Sequence, residues 1–271
     1  MSEIVHIIID DDKPPPSSSS SSSSSTTTTT TTSSTTTTTN TPKFTDEEVS
    51  IICKSAEQGV KSLIANALDD NFNSDGRPWS LQFENKDLDL KVYNSETKGS
   101  PIKKFKAVCI VPFPPKYVQE FISDNNHRLI WDRNICDLTA LIVKEEEKKK
   151  IILLRSATKK VGPIAGRDFI DTTCIMEYDD GSRVSGGAGI NNIGFPSKID
   201  NFVRGFNATG GGWYFQPIDD GVSTKVTYII QCDLKGWFSA ILINNVIGGS
   251  YLDFFTDLKK ALHSKQANEK K

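Results

Sequence analysis

Residues Ser223–Trp237, read as STKVTYIIQCDLKGW, carry the transition that decides the fold. Val226, Tyr228, Ile230, Cys232 and Leu234 recur at every second position, which is the period of a strand, so they share one face. Lys225, Thr227, Gln231 and Asp233 share the other, with Ile229 among them. Beyond Gly236 the period lengthens. Phe238, Ile241, Leu242, Val246, Leu252, Phe255, Leu258 and Leu262 predict a long helix from about Trp237 to His263. Gly248-Gly249 lies inside it, at a place where a helix can bend or be crossed closely.

Upstream, the chain reads as a helix followed by many short strands. Thr45 and Glu48 have the spacing of a capping box, and Phe44 and Val49 occupy the two hydrophobic-staple positions. Val49, Ile52, Cys53, Ala56, Val60, Leu63, Ile64 and Ala67 then form one apolar stripe, predicting a helix that ends near Leu68. Alternating runs at 81–83, 88–92 and 105–111 predict three antiparallel strands. Pro115 opens a helix carrying Val118, Phe121 and Ile122, and a short helical piece includes Arg128 to Trp131. Strands resume at 138–143 and 151–155, joined by a charged turn over Glu145–Lys150, and continue at 168–178, 183–190, 202–208 and 213–216. A helix first, antiparallel strands between and a helix last is an α+β layout, satisfied by a curved sheet wrapped around the last helix with a cavity between them. Gly186-Gly187-Ala188-Gly189 and Gly210-Gly211-Gly212 read as turns and bulges in this β-rich region.

Composition divides the chain in two. Every residue from Ser17 to Thr39 is Ser or Thr, and such a tract has no apolar surface to offset the entropy of ordering, so residues 1–40 are expected to be a disordered leader. That leader holds Lys13 against Glu3, Asp10, Asp11 and Asp12, so it accounts for the net charge of -2 and leaves the remainder close to neutral. The folded domain is placed at 45–265, with a polar tail at 266–271. Near-neutrality argues against a nucleic-acid binder that relies on a basic surface. Cys53, Cys109, Cys136, Cys174 and Cys232 are widely spaced and form no CxxC pair, which reads as buried free thiols in a reducing compartment, the cytosol. The short apolar start, Ile4 to Ile9, runs into Asp10–Asp12 and reads neither as a signal peptide nor as a membrane span. In that compartment the Asn207-Ala208-Thr209 sequon carries no meaning. With only His6, His127 and His263, no metal cluster or histidine-based triad is expected, and no catalytic residue and no cofactor is assigned.

Four passages taken in order resemble the START domain, the lipid-transfer family related to steroidogenic acute regulatory protein. They are Arg128-Leu129-Ile130-Trp131-Asp132; Val161-Gly162-Pro163 with Arg167-Asp168-Phe169; Gly212-Trp213-Tyr214-Phe215-Gln216-Pro217; and Thr224–Tyr228 through Asp233-Leu234-Lys235-Gly236-Trp237. The resemblance implies a helix-grip fold, in which about nine antiparallel strands grip the last helix over a tunnel holding one lipid. It also implies a family that moves or senses lipids without chemistry.

On that likeness Arg128 matches an arginine that contacts lipid phosphate in phospholipid-binding members, and a structural salt bridge to Asp132 or Asp124 is the alternative. Ile122 stands where the choline-binding pattern has a tyrosine, and Leu153-Leu154 where an aromatic would help box choline. Thr173 stands where sterol carriers place a tunnel arginine. Trp213, Tyr228, Phe238 and Leu242 are the tunnel-lining candidates. Gly162, Pro163, Gly166, Gly248 and Gly249 are the gate and lid candidates, and Arg167 and Asp233 are framework residues. The expected protein is a cytoplasmic monomer that carries one lipid, phospholipid slightly before sterol, and touches membranes transiently. Two alternatives are a lipid-sensing interaction module with the Ser/Thr tract as a regulatory arm, and a cyclase or hydrolase of the helix-grip superfamily with Asp171 or Glu177 as its acid.

Overall fold

The computed structural model describes residues 44–160, 162, 164–191, 193 and 199–269. The leader and Pro163 lie outside the described residues. Helix α1 spans Asp46–Leu68 and starts with the capping box intact: the Glu48 amide donates to Thr45 Oγ1 at 3.2 Å, and the Thr45 amide donates to the Glu48 carboxylate at 2.8 Å. Strands β1 (Ser80–Asn85), β2 (Leu90–Thr97) and β3 (Ser100–Val111) follow, then helices α2 (Pro115–Ser123) and α3 (Asn125–Trp131). Strands β4 (Ile135–Glu146), β5 (Lys149–Thr158), β6 (Arg167–Glu177) and β7 (Arg183–Gly189) form a meander. The short β8 (Val203–Arg204) and β9 (Phe206–Asn207) lead into β10 (Gly211–Ile218), β11 (Ser223–Ile230), the short β12 (Cys232–Asp233) and helix α4 (Ala240–Glu269).

Nine strands pair antiparallel in the order β1-β2-β3-β11-β10-β7-β6-β5-β4, and β8 adds to β6 in parallel. The expected α+β helix-grip architecture is therefore present. Each strand sends alternate side chains to opposite faces. On one face Ile52, Ala56, Val60, Leu63 and Ala67 of α1 pack on Ile151, Leu153, Ile170, Cys174, Tyr214 and Ile229. On the other, Tyr251, Phe254, Phe255, Leu258 and Leu262 of α4 pack on Phe105, Ala107, Cys109, Trp213, Phe215 and Val226.

Several details differ from the sequence reading. The run at 224–234 is two strands. Beyond Ile230 the chain leaves β3, and Cys232 and Asp233 pair instead with Asn207 and Phe206 of β9. Gln231, at the break, donates to Thr97 Oγ1 at 2.7 Å and to the Ile102 carbonyl at 2.9 Å, which holds the divergence. The face expected to be polar is covered by α1, so Thr227 and Ile229 are both buried. Gly186 to Gly189 belong to the body of β7, not to a turn: a Cβ on Gly59 would lie 2.2 Å from the Gly187 carbonyl carbon, so the paired glycines let α1 cross that strand at backbone contact. The C-terminal helix begins at Ala240 and continues to Glu269 without a break at Gly248-Gly249. Not every thiol is buried, since Cys136 is exposed on β4 and Cys53 is half-buried. No described helix is long and apolar enough to cross a membrane.

Candidate functional site

Helix α4 seats on the β2-β3-β11-β10 part of one face of the sheet, while β6, β5 and β4 extend beyond it. The space left between them is a cavity of about 330 Å³. Strand periodicity explains its wall. Ile151 and Leu153 of β5 are sealed under α1, whereas Ile152, Leu154, Ser156 and Thr158 point the other way and keep open surface inside the protein. On β6 Phe169, Asp171, Thr173 and Ile175 line the same space, and α4 contributes Val246, Ile247, Ser250, Tyr251 and Phe254.

The candidate residues divide on this geometry. Trp213, Tyr228 and Arg128 line the cavity, and the rings of Trp213 and Tyr228 stack at 4.0 Å. Phe238 precedes the helix and lies against the Arg167 guanidinium, 5.6 Å from its centre, and Leu242 is half-buried on the first turn of α4; neither is among the lining residues. Of the positions compared with choline and sterol patterns, Ile122, Leu154 and Thr173 line the cavity, and Leu153 faces α1.

Arg128 is held by its neighbours. Its Nε and Nη2 lie 3.0 Å from one oxygen of Asp132, which is buried, and its guanidinium sits 5.5–5.8 Å from the ring centres of Trp131, Trp213 and Phe254. Arg167 is buried and ties the cavity's edge together: it donates to the Leu234 carbonyl at 2.5 Å, to Lys235 at 3.2 Å and to Ala165 at 2.6 Å. It thus joins the 159–166 segment to the approach of α4. Burial pulls the Arg167 pKa down, and among the described residues no acid is paired with it; the carbonyls take its charge. Asp233 accepts from the Lys235 amide at 2.9 Å and pairs with its ammonium at 2.7 Å, which fixes the same loop. Beside that loop Gly162 sits exposed at φ +55°, and a Cβ on Gly166 would meet the Phe202 ring at 2.5 Å. In α4 a Cβ on Gly248 would meet the Gln82 amide at 2.5 Å, whereas Gly249 faces open space. Trp237 is fully exposed next to Gly236, and Ile241, one turn on, is 73% exposed.

The residue that sequence reasoning undervalued is Asp171. It stands on the cavity wall, two β6 alternations from Arg167, or about 13 Å inward. The Asn207 amide donates to both of its oxygens, at 2.9 and 3.2 Å, and burial pushes its pKa up to about 6. The available signal was its parity with Phe169, Thr173 and Ile175, which puts a carboxylate on an otherwise apolar and hydroxylic wall.

With this geometry in place, comparison with known proteins is informative. The START domain profile matches residues 62–268. Steroidogenic acute regulatory protein of Xenopus laevis is 29% identical over 222 residues, 81% of this chain and 73% of that protein. The rat protein, whose name adds "mitochondrial", is 26% identical over 83% of this chain and 76% of its own length. Among solved structures, human StAR-related lipid transfer protein 5 superposes with a TM-score of 0.69 at 19% identity, covering 80% of this chain and 99% of that one. Human STARD10 gives 0.61 at 13% identity, with 84% of each chain covered. At these identities the superpositions speak to the fold alone.

Proposed function

This chain belongs to the START-domain family, and from that premise we propose that it binds one lipid in the cavity under α4 and carries it between membranes. The observation that supports this most is the cavity itself, walled by Ile152, Leu154, Phe169, Ile175, Ile247 and Phe254 on one side of a sheet whose other side is packed solid. A lipid chain exposed to water costs about 0.8 kcal/mol per CH₂, and a wall of this kind removes that cost during transit.

Entry is by the edge that Arg167 ties together, between the 159–166 segment and the approach of α4. Trp237 and Ile241 stand exposed there with Lys235 and Lys159 nearby, a combination suited to brief insertion at the headgroup level. The loop or the lid helix must shift for loading, with Gly162 and Gly249 free of contacts that would oppose it. Pro163 is retained as a gate residue on the resemblance alone. Arg128 donates through Nε to Asp132 and forms an ion pair with it, which favours its structural role over the phosphate contact expected from the resemblance. We read the protein as a cytoplasmic monomer without catalysis, since Asp171 is bonded to the Asn207 amide and the one thiol beside it among the described cavity residues, Cys232, is held protonated by burial.

The test is to extract the purified full-length protein under native conditions and identify bound small molecules by mass spectrometry, alongside transfer of labelled phospholipid and sterol between vesicles. A stoichiometric lipid and saturable transfer of one class are expected. Lipid-free protein that transfers neither would overturn the assignment.

A further inference from the structure

Resting on the carrier reading, one pair of side chains narrows the ligand. Asp171 has no salt-bridge partner among the described residues. The two arginines lining the cavity are engaged elsewhere, Arg128 by Asp132 and Arg167 by four backbone carbonyls, and Lys159 lies exposed at the edge. Among the described residues the only side chain bonded to the carboxylate is Asn207, which uses its NH₂ for both contacts. That fixes the amide's orientation, because the reverse would set its oxygen against the carboxylate. Asn207 Oδ1 is consequently turned away, buried and without a hydrogen-bond partner among the described residues. Asn207 is also the first residue of the sequon, and it is spent here on the cavity wall.

The unfilled hydrogen-bonding capacity at this point is all acceptor: the remaining lone pairs of Asp171 and the carbonyl oxygen of Asn207. Buried acceptors that lack donors are costly, and a carboxylate more so than an amide. A phosphate or a ketone brings only further acceptors. An alcohol or an ammonium brings the missing donor, and a charge-assisted bond to a carboxylate is among the stronger ones. We propose that Asp171 and Asn207 form the ligand-anchoring site of the cavity, and that it takes a lipid with an apolar body ending in a hydrogen-bond donor, a hydroxyl or an ammonium, and no phosphate.

The experiment titrates the full chain with four fluorescent probes: a 3-hydroxysterol, the 3-ketone of the same skeleton, a single-chain long-chain amine and a phosphatidylcholine. The native protein is expected to bind the alcohol or the amine at least tenfold more tightly than the ketone, and whichever of the two binds identifies the donor. Asp171→Asn is expected to bring alcohol and ketone within about twofold, because its amide can donate to either oxygen. A native protein that binds neither the alcohol nor the amine more tightly than the ketone, or a preference for the favoured donor over the ketone that Asp171→Asn leaves unchanged, overturns the proposal while leaving the carrier reading intact. Binding of phosphatidylcholine alone has the same meaning. Failure to bind any probe overturns both. The native ratio decides the matter even if the variant does not fold.

Discussion

The two faces of the sheet are made by the same strands and differ in what they hold. Under α1 the residues are mostly small or aliphatic, with Tyr214 among them, the helix crosses β7 at glycine contact, and the packing is closed. Under α4 half of the face is an aromatic core and the other half is hollow, and the ionisable groups Arg128, Asp132, Arg167 and Asp171 sit around the hollow. A solid face lets the opposite face stay open, since burial on one side supplies the stability that the cavity withholds on the other. Substitutions should therefore read differently according to the face they touch.

The largest effect is expected at Arg128. Replacing it with Met leaves Asp132 buried without its cation, and breaking such a pair costs about 3–5 kcal/mol, less what the part-exposed arginine loses to solvent. Chemical unfolding measures this, and Arg128→Met combined with Asp132→Leu should recover much of the loss. A variant of native stability that loses affinity for phospholipid alone would instead make Arg128 a ligand contact. Next come two neighbouring leucines. Leu153→Ala opens a void under α1 and should cost about 3 kcal/mol, while Leu154→Ala only enlarges an existing cavity and should cost about 1 kcal/mol or less. Equal losses in urea unfolding would mean that the hollow face is packed as tightly as the solid one.

Asp171→Asn should move stability the other way. The acid's folded pKa is raised from an ordinary 3.8 to about 6, so the folded protein holds its proton more tightly than the unfolded chain. The resulting stabilisation is complete below pH 4 and is lost as pH rises through about 6. Two units convert to ~3 kcal/mol at most, and with some of the side chain open to the cavity a gain of roughly 2 kcal/mol is expected for the variant at pH 7.5. The titratable groups beside it, Tyr228, which burial raises to about 12, and Cys232, whose thiol burial pushes up further, are neutral across this range, so the shift follows from the burial of Asp171 itself. The difference between native and variant proteins should shrink on going to pH 4.5, and a difference independent of pH would show that Asp171 does not carry it.

How much of this could be read in the chain follows from what fixes each feature. Helix α1 was legible to its cap because Thr45, Glu48, Phe44 and Val49 are local signals, and local geometry sets them. The strands of the meander were legible because alternation survives wherever one face differs from the other. The division at Gln231 was not, because Val226 to Leu234 keep one parity across it and the change of partner depends on where β9 arrives. The glycine run of β7 read as a turn because its cause, the approach of Gly59, lies more than a hundred residues away. Phe238 and Leu242 belong to the helical stripe by spacing, yet the helix begins after Phe238, whose ring covers Arg167. Asp171 was visible as a carboxylate, but its isolation from the described cations depends on bonds that Arg128 and Arg167 make elsewhere.

The smallest effect on stability, and the one that tests the hollow face's link to membranes, is expected at Trp237. Its ring makes no buried contact, so Trp237→Ser should change unfolding free energy by less than about 0.5 kcal/mol. An indole at the headgroup level is nonetheless among the better interfacial anchors, and Ile241 beside it extends the same apolar point. The variant should therefore bind soluble ligand as the native protein does while delivering it to vesicles several-fold more slowly. Because the domain is close to charge-neutral, the deficit should persist at high salt, where purely electrostatic attachment would already have been screened away. Unchanged transfer would move the membrane contact away from this corner. Slower transfer with weakened ligand binding would mean instead that Trp237 acts on the cavity, making the exposed loop and the hollow face one mechanical unit.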